Sequence, residues 1–368
     1  MNNIFISIAS YRDHQLVPTI LDCLNKAKHK NNLSFGICWQ KDNSEDISLL
    51  NSYSKQIKIY DCDWRESKGA CWARHLIQKD LYNNEDYYLQ LDSHHRFLEN
   101  WDEHLFELLS LAKNNSNKSI IGTYGTTYWP NSNDPLKNEP YKINTFESFG
   151  ADGDIVSRPI YINSHKSLEQ KLIKARLLSG HFIFTDGSFV KECMYDPNFY
   201  FRGEEVSLSA RAYTHGYDFY HPTYTIIWHE YLRKESNKHW LDHTKKNGFI
   251  VEGEKRNALS KKRQRQLFGL ESSEIDFKNY GFGTTRSLHD YELYCGLDFK
   301  NKRVHKDAYD LSGTMLEPHI MTEDEWNSGM LNVFTIEVEW NLDDIESRDD
   351  YDFWFFGFGH GWCYGLTV

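Results

Sequence analysis

The stretch Tyr87-Tyr88-Leu89-Gln90-Leu91-Asp92-Ser93-His94 decides how this chain is read. It follows the polar turn Asn83-Asn84-Glu85-Asp86 as an apolar and aromatic run, the pattern of a buried strand, and it ends on an aspartate and a histidine two positions apart. In extended chain, residues two apart project to the same side, so Asp92 and His94 can meet one cation. The carboxyl end of a strand is also where open α/β sheets place their ligands. For an arbitrary Asp-x-His the simpler reading is that Asp92 caps the next helix while His94 and His95 sit in an exposed turn. The surrounding sequence has to decide between the two.

Upstream, Ile4 to Ala9 reads as a buried strand. Leu16, Val17, Ile20, Leu21, Leu24 and Ala27 then recur at helical spacing, with Pro18 in the first turn. Strands over Leu33 to Gln40 and Ile57 to Asp61 and a helix over Ala70 to Lys79 continue the alternation, which predicts βαβ units and a mostly parallel sheet. Downstream, helices are expected over Trp101 to Lys113, Glu204 to Thr214 and the basic Glu254 to Arg265, with strands near Ile120, over His181 to Thr185 and over Tyr224 to His229. The long polar stretch from Asn131 to Pro159 reads as functional loop. Beyond it, Asn332 to Trp340 alternates as a strand and Asp343 to Asp352 is acidic. A break near Gly313 divides an α/β domain (1–312) from a small β-rich extension (313–368) that contains Phe353-Trp354-Phe355-Phe356.

Bulk properties narrow the function. A formal net charge of -11 repels phosphate backbones and argues against nucleic acid as a partner. The seven cysteines are scattered with no Cys-x-x-Cys pair, as expected of reduced thiols in a cytoplasmic protein. The N-terminus carries no basic, apolar signal pattern, and no run approaches the ~20 apolar residues of a membrane span. The 11 Trp and 23 Tyr suit stacking on sugars or nucleotides as well as core building.

Several residues can join Asp92, Ser93 and His94 at the strand ends. His229 closes the run Tyr224-Thr225-Ile226-Ile227-Trp228 and can supply a third metal ligand; a strand-end histidine is otherwise a structural residue. A carboxylate with imidazoles leaves coordination positions for two phosphate oxygens, and such mixed oxygen and nitrogen ligation suits manganese. Ala9-Ser10-Tyr11-Arg12 sits at the end of the first strand, where nucleotides bind in open α/β sheets. Gly69 permits close approach, and either Lys68 or Arg74 can pair with a diphosphate, although both also read as solvated charges. Glu204 and Glu205 open a helix, where they favour its dipole or accept hydrogen bonds from sugar hydroxyls. Arg233 and Lys234 can close over a diphosphate. No P-loop, zincin or nucleophile-elbow motif is present.

The ordered segments Ile8-Ala9-Ser10-Tyr11-Arg12-Asp13, Gly69-Ala70-Cys71-Trp72-Ala73-Arg74, Gln90-Leu91-Asp92-Ser93-His94, Gly203-Glu204-Glu205 and Trp228-His229-Glu230 together resemble glycosyltransferase family sixty. That family holds the cytoplasmic hydroxyproline GlcNAc-transferases and is distantly similar to the polypeptide GalNAc-transferases. The resemblance spans about residues 4 to 300. It implies a GT-A fold, a UDP-GlcNAc donor, a divalent metal held by Asp92, His94 and His229, and retaining transfer to a hydroxyl on a protein or glycan acceptor. It further implies that Glu204 is the sugar-binding acid, that Gly180 and His181 floor the sugar pocket, and that Arg233 acts on the diphosphate. Three positions depart from the relatives: Glu205 replaces Asn, His181 replaces a smaller residue, and Arg233 lies one position farther from the metal histidine. The alternatives are a surface-polysaccharide transferase using another UDP-sugar and a catalytically silent module that binds a sugar or nucleotide.

Overall fold

The computed structural model describes residues 2–150, 153–161, 170–233, 236–309 and 317–333, and the backbone of 353–356 and 363–366. The first half follows the expected alternation: β1 (Ile4–Tyr11), α1 (Leu16–Lys26), β2 (Leu33–Lys41), β3 (Ile57–Asp63), α2 (Ala70–Leu76), β4 (Tyr87–Asp92), β5 (His95–Phe97) and α3 (Trp101–Lys113). Then come β6 (Ser119–Gly122), β7 (Thr126–Thr127), β8 (Lys142–Phe149), β9 (Ile155–Tyr161), β10 (Leu172–Lys174), β11 (Phe182–Asp186), α4 (Glu204–Thr214), β12 (Asp218–Pro222) and β13 (Ile227–His229).

Eight strands form the central sheet in the order β10-β12-β6-β11-β4-β1-β2-β3. The β4-β1-β2-β3 half is wholly parallel, and β11 runs antiparallel between β4 and β6. Strands covered on both faces read as continuous apolar runs. Thus Ile4, Ile6 and Ile8 pack with Leu16, Ile20 and Leu105 on one face, while Phe5 packs with Ala73, Ile77 and Tyr88 on the other. Trp101 is fully buried and its indole N–H donates to the Cys23 carbonyl at 2.9 Å, which ties α3 to the end of α1.

A second, three-stranded sheet of order β5-β13-β7 lies beyond the carboxyl end of β4. The stretch from Asn131 to Pro159, expected as loop, instead carries β8 and most of β9, paired antiparallel. Its apolar positions Ile143, Phe146, Phe149 and Ile155 are interrupted by polar neighbours, which hid the pattern, yet all four are buried. The strand expected over Tyr224 to His229 shortens to Ile227–His229.

The chain divides into two compact units, Met1–Val333 and Phe334–Val368. The first runs past Gly313 because β14 (Leu297–Asp298), β15 (Arg303–His305) and β16 (Met330–Asn332) form one antiparallel sheet and Met321 and Trp326 are buried. In the second unit β17 (Phe353–Phe356) pairs antiparallel with β18 (Cys363–Leu366). The acidic run Asp343 to Asp352 and all but the first two residues of the strand expected over Asn332 to Trp340 lie outside the described residues; Asn332 ends β16 and Val333 follows it outside any strand.

Gly36 sits in β2 where a Cβ would lie 2.3 Å from the Phe5 ring and 2.9 Å from Ile77, so α2 and its continuation can approach the sheet only over a glycine. Gly36→Val should therefore destabilise the protein by about 1–3 kcal/mol through overpacking, read as a lower urea midpoint with unchanged slope.

Candidate functional site

Register brings the site together. In the parallel pair of β1 and β4, Ala9 lies opposite Asp92, so the carboxyl ends of both strands share one rim. Past Asp92 the chain passes through Ser93 and His94 into β5, whose antiparallel pairing with β13 sets His229 opposite His95. Asp92, His94 and His229 thereby converge from two distant segments, with one ligand atom from each lying within 4.8 Å of the others. The Asp92 Oδ2 atom is 3.8 Å from His94 Nε2 and 3.4 Å from His229 Nε2.

Asp13 stands behind this trio. Its Oδ2 atom accepts from His94 Nδ1 at 2.8 Å, Ser93 Oγ at 2.6 Å and Arg233 Nη2 at 3.1 Å, and its Oδ1 atom accepts from the Gln15 amide at 2.9 Å. Burial alone would raise the Asp13 carboxyl, but His94, Arg233 and Ser93 together hold it below the usual carboxylate range. With Nδ1 engaged by Asp13, His94 turns Nε2 toward Asp92, the carboxylate–histidine arrangement that fixes metal-ligating imidazoles. Burial pulls His229 down to about 4, against the opposing hydrogen bond to Asp92. A neutral imidazole is the ligating form, so one carboxylate and two imidazoles fit a divalent cation.

A second buried charge centre adjoins the first. Arg74 is almost wholly buried; its Nη2 donates to Asp92 Oδ1 at 2.7 Å and its Nη1 pairs with Glu204 Oε1. The same Glu204 oxygen accepts from the Tyr195 hydroxyl at 2.8 Å, and that hydroxyl accepts from Gln90 Nε2 at 2.7 Å. Glu205, at the start of α4, accepts from the Gly180 amide at 2.8 Å and from Ser157 Oγ at 3.1 Å, and burial raises its carboxyl. A Cβ at Gly180 would stand 2.7 Å from Glu204 Oε1, so a glycine is required where β11 begins.

A cleft of about 380 Å³ opens over these groups. Ala9, Tyr11, Gly69, Arg74, Asp92, Ser93, His94, Gly180, His181, Glu204, Glu205, His229 and Arg233 all line it. Gly69 has φ +106, and a Cβ there would meet Tyr200 at 2.4 Å. Three expected residues lie elsewhere. Ser10 is buried beneath the rim. Arg12 is held by Asp42 at 2.7 Å and Asp242 at 2.8 Å, over the Trp64 ring. Lys68 is exposed beside Trp72. Arg74, expected to face a diphosphate, is instead committed to two carboxylates.

Sequence reasoning passed over Asp13, His95, Glu230 and Tyr231. Asp13 and Glu230 stood inside the quoted segments, and their position at strand ends was the available signal. His95 is completely buried, its ring 4.8 Å from His229 and 5.8 Å from His181; burial, then the neighbouring histidines, hold it well below the usual imidazole range. Tyr231 packs 4.3 Å from the His229 ring and stacks on Tyr124 at 5.3 Å. No spacing rule reaches contacts of that kind.

A mixed α/β sheet with a carboxylate and two imidazoles gathered beyond the carboxyl end of β4 has its candidate site where open α/β sheets bind their ligands. The sequence pattern of the family described as Glycosyltransferase (GlcNAc) matches residues 3–54 and 48–301, and the chain belongs to that family. No curated protein matches the sequence. Among solved structures the chain is similar to the crystal structure of GalNAc-T7 with UDP, GalNAc and Mn2+, with a TM-score of 0.51 and 13% identity. The likeness covers 62% of this chain but only 43% of that one, and it shows the shared fold.

Removing Arg74 takes the guanidinium partner from buried Glu204 and part-buried Asp92. Arg74→Met should lower unfolding stability by about 3–5 kcal/mol, whereas Lys68→Met should change it by less than about 0.5 kcal/mol; urea unfolding of both variants checks the contrast.

Proposed function

We propose that this glycosyltransferase moves GlcNAc from UDP-GlcNAc to a hydroxyl of a protein or glycan acceptor with retention of configuration, and that Asp92, His94 and His229 hold a divalent cation, manganese best suiting the donor set. The observation that carries the reading is the convergence of those three side chains with Asp13 fixed behind His94. When bound, such a cation neutralises diphosphate charge and makes UDP a better leaving group.

The chain's own residues supply the rest. Ala9, Tyr11 and Gly69 form the wall against which the nucleotide packs, and the Ser93 hydroxyl donates to the Asp13 carboxylate behind the metal ligands. Arg74 fixes Asp92 and Glu204, so Glu204 presents its carboxylate to sugar hydroxyls from a set position. Glu205, anchored on the Gly180 amide, and His181 bound the sugar pocket. Arg233, at the cleft edge and shared with Asp13, meets the departing diphosphate. The family's description favours GlcNAc as the sugar, and the GalNAc-T7 structure was solved with UDP and Mn2+, which favours a UDP-linked donor and that metal. The six described cysteines are free and buried, which supports a reducing, cytoplasmic setting.

With Mn2+ and UDP-GlcNAc, purified protein should release UDP. Because metal stabilisation of the transition state amounts to several kcal/mol, Asp92→Ala or chelation should lower that release by about 100-fold or more; unchanged turnover would refute the metal role. Asp13→Asn should weaken Mn2+ affinity about 10–100-fold while leaving the three ligands in place, measured by calorimetric titration of the cation.

A further inference from the structure

Beside the cleft lies a second pocket of about 320 Å³, lined in part by His14, Trp129, Asn131, Ser132 and Leu232. Glu230 and Arg233 belong to the walls of both, so the pocket continues the cleft on the side of the His229 strand. Its floor is built rigidly from that strand. β7 pairs with β13, the Tyr128 amide donates to the His229 carbonyl at 2.8 Å, and the Trp228 indole donates to the Lys137 carbonyl at 3.0 Å. The turn that follows is closed by the Trp129 amide donating to the Pro135 carbonyl at 2.9 Å and the Ser132 amide to the Trp129 carbonyl at 3.1 Å.

We infer that this pocket is the acceptor subsite and that it takes a sugar ring, so the acceptor is a glycan. The inference rests on the glycosyl-transfer reading above. Three features carry it. Trp129 is 41% exposed in a turn otherwise pinned to the sheet, with Lys137 over its ring at 4.9 Å, and a large aromatic surface left open in a pocket suits the apolar face of a sugar. Around it stand Asn131, Ser132, Ser236 and His14, side chains that exchange hydrogen bonds with hydroxyls. At the junction with the cleft, Glu230 is only 8% exposed and its Oε2 atom finds no hydrogen-bond partner among the described residues. A buried carboxylate oxygen in that state is completed by a donor such as an acceptor hydroxyl. A peptide would need a free strand edge or a long groove. The outer edge of β7 offers neither, because the returning segment covers it through the Lys137 amide on the Thr127 carbonyl at 3.1 Å and the Tyr128–Leu136 bridge.

The test uses the full chain with Mn2+ and whichever UDP-sugar it hydrolyses. Methyl glycosides of glucose, galactose, mannose, GlcNAc and GalNAc are added singly, and UDP release and saturation-transfer NMR are recorded. At least one glycoside should accelerate UDP release. Trp129→Ala, with its fold checked by circular dichroism, should raise that glycoside's KM about tenfold or more while donor hydrolysis without acceptor stays within about twofold. Leu232→Asp, an exposed change at the opposite wall, should act in the same direction. Overturning results are donor hydrolysis with neither acceleration nor saturation transfer from any glycoside, a glycoside KM indifferent to Trp129, or acceleration only by a serine- and threonine-containing peptide whose KM moves with Trp129. If no UDP-sugar is hydrolysed, the transfer reading fails by itself, and saturation transfer from the glycosides to wild type but not to Trp129→Ala still decides what the pocket binds.

Discussion

A guanidinium buried between two carboxylates holds this site in one geometry. Arg74 comes from α2, Asp92 from the end of β4 and Glu204 from the start of α4, and the last two are 112 positions apart in the chain. A buried charge of this kind is tolerated only when its partners are in place, and removing one partner leaves the others at a cost of about 3–5 kcal/mol. The ion pairs therefore couple the parallel half of the sheet to the helix that carries Glu204 and Glu205. Gly180 and Gly69 fit the same constraint, because each is a place where a Cβ would collide with the network or with the Tyr200 backbone.

The small β5-β13-β7 sheet acts differently. Its strands have two or three residues each, too few to be stable alone, yet every one of them adjoins a position of the candidate site or of the proposed acceptor pocket. β5 follows directly from the Asp92–His94 turn, β13 ends on His229, and β7 leads into the Trp129 turn. Fixing His229 against His95 by strand pairing sets the imidazoles with backbone precision, which a loop could not do. It also means that the proposed cation site and the proposed acceptor pocket are built on one piece of structure, with Glu230 and Arg233 between them.

What the sequence made legible follows from how local each signal is. The parallel half, the helices α1 and α3, and the Asp92-Ser93-His94 turn were readable because hydrophobic period and strand-end position are local. His229 was readable as a strand end able to supply a third ligand beside Asp92, and the five segments recurring in order strengthened that expectation. The partners of Arg74 were not readable, since a basic residue opening a helix reads as an anion ligand or a solvated charge and nothing nearby announces that Asp92 and Glu204 will enclose it. The β8 and β9 pair was invisible for a related reason: its apolar positions are spaced irregularly, with a bulge between Phe146 and Ser148, and its burial depends on α4 and the basic helix that follows. His95 and Tyr231 meet the other histidines of the site through ring contacts, and such contacts leave no period or spacing behind.

The charge inventory of the cleft bears on the proposed cation. Asp92, Asp154, Glu204, Glu205 and Glu230 line it against Arg74, Arg202, Arg233 and Lys238. Arg74 is already matched to two of the acids, and Arg233 shares its charge with the buried Asp13. With Asp154 paired to Lys261, Arg202 and Lys238 stand against Glu205 and Glu230, so the lining side chains present no net positive charge to a diphosphate. On the proposed reading, a divalent ion on Asp92, His94 and His229 would supply that charge where the phosphates would lie, while Asp13, behind His94, strengthens the imidazole as a donor without facing the ligand. The cleft on that reading takes nucleotide and metal together, and Arg202, Arg233 and Lys238 are the basic side chains along its lining that can respond to charge on the departing diphosphate.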